Sequence, residues 1–175
     1  MVTKERALGD IFNVALALAP KDLSASASTG LRICMKNATT CTFVVIAGAG
    51  TAGDDLLLDL QEHNASSGGT SQDLDIITEY FKQSETTLDG DEVWTRITQA
   101  AASETADATG TTAEEQNLFV VEVRHDQLSD GFSWVSLNIP DLGAAGTKLG
   151  GVIAILSGLR QRGKPERLRL PLTGA

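Results

Sequence analysis

Apolar residues in this chain recur in short, β-branched or alternating runs, and glycine, asparagine, aspartate or serine breaks them every few positions. Phe43 to Ile46, Leu56 to Leu60, Asp75 to Phe81, Val93 to Thr98, Leu118 to Val123, Phe132 to Ile139 and Val152 to Leu156 are the clearest. Their period is that of strands rather than helices. A parallel sheet needs a crossover, usually helical, between successive strands, and no long amphipathic helix separates these runs. The pattern therefore predicts an all-β, antiparallel sandwich, jelly-roll-like, of eight to nine strands. At 175 residues the chain suits one domain, able to bury about 70% of its unfolded surface.

The expected organisation is a charged N-terminal arm at 1–10, a sandwich over 11–157 and a basic C-terminal arm at 158–175. Ile11 to Leu18 reads as the first strand. Leu31 to Met35 and Thr42 to Ile46 bracket a turn containing Asn37 and read as a hairpin. Cys34 and Cys41 would face each other there only if the loop were Asn37-Ala38, and two small buried apolar residues are the plainer reading. Leu56, Leu58 and Leu60 alternate with Leu57, Asp59 and Gln61, as in a half-buried strand. Asn64 to Gln72 reads as a loop, and Asp89-Gly90 as a turn between two strands. Gln99 to Gln116 has no bulky apolar residue and reads as an exposed excursion. In Phe132 to Ile139 one face carries Phe132, Trp134 and Ser136, the other Val135, Leu137 and Ile139. Gly150 to Leu156 is almost entirely apolar, so it is expected at the centre of a sheet and covered on both faces.

Formal net charge is −9, which argues against nucleic acid as a partner of the body. The charge is uneven. Arg160, Arg162, Lys164, Arg167 and Arg169 against Glu166 give the C-terminal segment +4, leaving −13 on residues 1–159. With Leu170 and Leu172 as anchors, those cations form the expected contact surface for an acidic neighbouring subunit. Met1 to Gly9 is charged and unlike a secretory leader, and the apolar runs fall short of the ~20 residues of a membrane helix. The expectation is a soluble protein made in a cytoplasm, with no membrane partner.

Several motifs invite chemistry. Gly48-Ala-Gly50-Thr-Ala-Gly53 fits the dinucleotide fingerprint G-x-G-x-x-G, which would place a pyrophosphate at a helix N-terminus. Asp54-Asp55 would then repel the phosphates, and the following residues alternate instead of forming a helical stripe. A glycine-bearing turn at a strand end is preferred. His63 and His125 are far apart and lack partners at metal-ligand spacing. Asp54, Asp55 and Asp59 do not match a Ca²⁺ loop. Ser133 lacks the second glycine of a nucleophile elbow. Few aromatics are available to stack on bases or sugars. No enzyme activity and no cofactor are expected.

Six phrases taken together resemble a known group. They are Gly48-x-Gly-Thr-Ala-Gly-Asp-Asp55, Val93-Trp-Thr-Arg-Ile-Thr-Gln99, Leu128-Ser-Asp-Gly-Phe132, Trp134-Val-x-Leu-x-Ile-x-Asp-Leu-Gly143, Leu149-Gly150 and Ala154-Ile-Leu-Ser157. Over roughly residues 11–157 the chain resembles small structural proteins encoded in the virion gene blocks of tailed bacteriophages, a group similar to head decoration (minor capsid) proteins. The resemblance implies a non-enzymatic capsid decoration or cement protein on the surface of the phage head. Its implied partners are the major capsid protein and copies of itself, with trimers at local three-fold positions one arrangement. A tail or head–tail connector component is the structural alternative. A nucleotide-binding enzyme using Gly48 to Gly53, or a glycan-binding sandwich using Trp94 or Trp134, are the alternatives from other classes.

Overall fold

The structure, a computed structural model, describes residues 7–106, 112–143 and 146–163. Its strands are β1 (Phe12–Asp22), β2 (Ile33–Cys34), β3 (Thr40–Ala47), β4 (Asp59–His63), β5 (Ser71–Asp73), β6 (Ile77–Glu85), β7 (Thr95–Ala102), β8 (Gln116–Arg124), β9 (Trp134–Asn138) and β10 (Leu149–Ser157). They form a six-stranded sheet, β1-β10-β3-β8-β6-β7, and a four-stranded sheet, β2-β9-β4-β5. Every pairing between them is antiparallel. The fold is the expected all-β sandwich.

Its topology is specific. With β6 and β7 set aside, pairing is nested: β1 with β10, β2 with β9, β3 with β8, and β4 with β5. The nested ribbon then rolls up, because β10 also pairs with β3 and β9 with β4. This is the jelly-roll arrangement. The β6–β7 hairpin is inserted between β5 and β8 and widens the larger sheet by pairing β6 to the free side of β8.

The core lies between the sheets. Ala15, Ala17, Phe43, Val45, Phe119, Val121, Val152 and Ala154 point inward from the larger sheet, and Ile33, Leu60, Val135 and Leu137 from the smaller. Leu56 and Leu58 extend the inward row ahead of β4, as their alternation required. Tyr80 stacks on Phe119 with ring centroids 5.8 Å apart, and its hydroxyl donates to the Ala106 carbonyl at 2.7 Å. The phenol thus buries its ring while keeping its polar tip bonded.

Three sequence expectations are corrected. First, β2 and β3 are not a hairpin. β2 belongs to the smaller sheet and β3 to the larger, so the turn at Asn37 carries the chain across the core. Cys34 and Cys41 therefore sit in different sheets and are free thiols, and burial pushes the Cys41 thiol above its ordinary range. Second, the described residues form ten strands: β5 lies in the Ser/Gly stretch read as loop, with three exposed polar residues paired to the edge of β4. Third, the described part of 99–116 is not an exposed excursion. Gln99 to Ala102 completes β7, and the chain then crosses to β4, where the Leu60 amide donates to Ser103 and the Thr105 amide to Leu58. Thr105 and Thr112 are buried, and their hydroxyls accept from the Leu58 and Leu56 amides at 3.1 and 2.9 Å. Threonine hydroxyls here do what a sheet neighbour would otherwise do for the backbone.

Candidate interaction surfaces

The outward side of the six-stranded sheet is apolar across most of its width. Strand register aligns Leu16, Ile153, Val44, Val120 and Phe81 in one row over β1, β10, β3, β8 and β6. Val14 and Ile155 lie beside it on one side, Ile46 and Leu118 on the other. None of these belongs to the core. Leu16 is 47% exposed and Ile46 52%, in a stretch where a solvated sheet face would carry polar side chains. Charge enters at the β7 edge and in the row beside the apolar one, where Arg96 pairs with Glu79 and the Thr42 hydroxyl donates to Glu122. The β10 run was expected to be covered on both faces. The described residues cover only its inward one.

The outward side of the four-stranded sheet is polar by contrast. His63 Nδ1 lies 2.7 Å from Ser71 Oγ and Nε2 lies 2.9 Å from Ser136 Oγ. Asn138 donates to Asp59, and Gln61 donates to Asp59 and Asp73. Arg32 closes the cluster by donating to the Ala65 and Gly68 carbonyls and to Ser71. Sequence reading passed over this network because its members are single polar residues scattered over β4, β5 and β9. Ser136 is 1% exposed, and a serine that acts as a nucleophile must reach its substrate. The cluster is a sheet-pinning network. Trp134 faces the same way as predicted, yet it is 4% exposed and offers no stacking surface, whereas Trp94 is 52% exposed.

His63 makes this network pH-sensitive. Burial, and secondarily the nearby Arg32 charge, hold its imidazole down at about 4, with Glu62 opposing. The unfolded chain takes up this proton near pH 6.5, the folded chain only near 4. The contribution is thus complete above about pH 6.5 and lost as pH falls toward 4. Urea unfolding should show about 2 kcal/mol more acid destabilisation in the native chain than in His63→Asn. Parallel pH profiles for the two proteins would refute the assignment.

The Gly48 to Gly53 loop is accounted for by Lys148, a residue the sequence did not single out. Lys148 is fully buried, and its Nζ donates to the Thr112 and Ala113 carbonyls at 2.7 and 2.9 Å. The loop packs over its stem. A Cβ on Gly50 would lie 3.1 Å from Lys148 Cβ and 3.2 Å from the Ala113 carbonyl oxygen, and the Gly50 amide donates to that same carbonyl. Gly53 has φ +98°, a left-handed conformation that favours glycine. No helix follows; the chain runs extended into β4. Asp54 is buried, and Asp55 accepts from the Thr112 amide and hydroxyl and the Ala113 amide. Burial pushes the Lys148 ammonium below its ordinary range, against the pull of Asp54, Asp55 and Glu115. Among the described residues, no group of three or more His, Cys, Asp or Glu is arranged to hold a metal ion.

Of the predicted contact residues, Arg160 and Arg162 are exposed. Lys164, Arg167, Arg169, Leu170 and Leu172 lie outside the described residues, as do 1–6 of the N-terminal arm. The start of the C-terminal segment is fastened to the sandwich. Leu159 is buried, Asn37 exchanges hydrogen bonds with Arg160 and Gln161, and the Gly163 amide donates to Gly9 at 3.2 Å. At the other end of the larger sheet the β6–β7 tip exposes Leu88, Val93 and Trp94 among Asp89, Asp91 and Glu92. Hydrogen bonding to Asp89, with Glu92 close by, holds the Asp91 carboxyl above its ordinary range. The chain matches no family model, no curated protein and no solved structure.

Proposed function

We propose that this chain is a structural virion subunit, a decoration or cement protein that binds the head shell of a tailed bacteriophage and reinforces the lattice of its major capsid protein. The observation that carries the reading is the apolar outer face of the six-stranded sheet. A surface of that kind is costly in water and marks an assembly contact. The jelly roll is compatible, being an architecture used in capsid and lectin domains among others. The phrases that resemble decoration proteins fall on turns and strand cores of this sandwich, so they support a shared framework rather than a shared site. In this reading the rigid sandwich bridges neighbouring capsid subunits, and modest contacts repeated by symmetry sum to a firm attachment. Arg160, Arg162, Lys164, Arg167, Arg169, Leu170 and Leu172 add an arm of opposite charge to the acidic body.

Reconstruction of the particle by electron microscopy tests this. The expected result is jelly-roll density on the outer surface of the head, lost from particles made without this chain. Density on the tail or connector instead would move the assignment there, and shells that fail to retain the purified protein would end it.

A further inference from the structure

We infer that the outer face of the six-stranded sheet is a self-association surface, on which two copies of this chain stack their larger sheets about a two-fold axis. The inference rests on reading the chain as an assembly subunit and names the partner of its apolar face.

The first argument is extent. Six strands at about 4.8 Å spacing and eight or nine residues at about 3.4 Å give a face of roughly 29 by 28 Å, about 800 Å². A stable protein pair buries about 800 Å² on each partner. The whole face is thus the size of one half of a standard interface, with the row Leu16, Ile153, Val44, Val120 and Phe81 through its middle.

The second argument concerns what else could cover it. Residues 164–175 follow directly from Gly163, which bonds to Gly9 beside the start of β1. An extended segment is only one strand wide, about 5 Å, against about 24 Å for the five strands that carry the row. The chain's own tail would leave most of the face bare. A sheet-sized occupant is needed, and sheets pack face to face at about 10 Å through apolar side chains.

The third argument is electrostatic. Residues 1–159 carry −13, so two copies repel unless they meet where charge is absent. The row itself is such a place: Arg96 stands at its β7 end, and Glu122 and Glu79 lie in the next row, beyond Val120 and Phe81. Face-to-face stacking is isologous and closes at two copies.

Sedimentation analysis of the purified full chain across low to high micromolar concentrations should give twice the 18.4 kDa chain mass. Val44→Lys and, separately, Leu16→Lys on the more tolerant edge strand should each weaken the pair about 100-fold or more, because like charges then meet in a desolvated interface. Far-UV circular dichroism checks that each variant folds, and Ser66→Lys on an exposed loop should leave the pair intact. A chain ending at Gly163 should still pair. A native chain that is monomeric throughout overturns the inference, as does a pair indifferent to both face substitutions. Pairing that appears only after removal of 164–175 also overturns it, in favour of a tail packed on its own face. If a monomeric chain still binds purified shells, and Val44→Lys abolishes that binding, the face belongs to the shell. The virion reading then survives and the self-association does not.

Discussion

Lys148→Met should lower the stability of the isolated domain by about 3–5 kcal/mol, the usual cost of removing one partner from a buried charge network. For a domain of this size that is a fall in Tm of about 10 °C or more. The methionine fills much the same space, so the loss is electrostatic and not one of volume. It leaves the Thr112 and Ala113 carbonyls without the ammonium that donates to both, and Asp54 and Asp55 without the cation that offsets them. A second substitution separates this from simple misfit. Lys148→Met/Asp54→Asn should be more stable than the sum of the single effects by over about 1 kcal/mol, since the excess negative charge is relieved. Strict additivity in calorimetry would mean that lysine acts there only as a spacer beneath Gly50.

Two neighbours on β8 should respond in opposite ways. Phe119 is fully buried between the sheets and stacked on Tyr80, so Phe119→Ala should cost about 3–5 kcal/mol. Val120 points to the other side, into the apolar row, where its pairs are Val44 and Phe81. Val120→Ala, measured at concentrations low enough to keep copies apart, should cost below about 1 kcal/mol. Urea midpoints of the two variants check both figures. A large loss from Val120→Ala in dilute solution would mean that the chain itself covers the face, against the register described.

Much of the fold was legible because strand alternation is a short-range signal. Phe43 and Val45 against Val44 and Ile46, or Val135 and Leu137 against Trp134 and Ser136, sort to opposite sides of their sheets by period alone. The β6–β7 hairpin was legible for the same reason, Gly90 supplying a left-handed turn at φ +99°. Which sheet a strand joins is a long-range fact. Nothing local distinguishes the turn after Met35 from a hairpin turn, although it crosses the core. β5 was invisible because an edge strand of Ser71, Gln72 and Asp73 has no apolar face to show. Lys148 was missed for a different reason: its burial depends on carbonyls and carboxylates from distant segments that converge only on folding. The apolar face was half legible. The unbroken apolar run of β10 signalled two covered faces, and the described residues cover only the inward one.

Pairing Phe12 with Ser157 joins the first strand to the last. Since β10 also separates β1 from β3, the larger sheet stays split until this last described strand is in place. Closure over so long a stretch of chain makes for slow, late assembly. Until β10 inserts, β1 and β3 carry their apolar side chains with no strand between them, so the folding chain passes through its stickiest stage late.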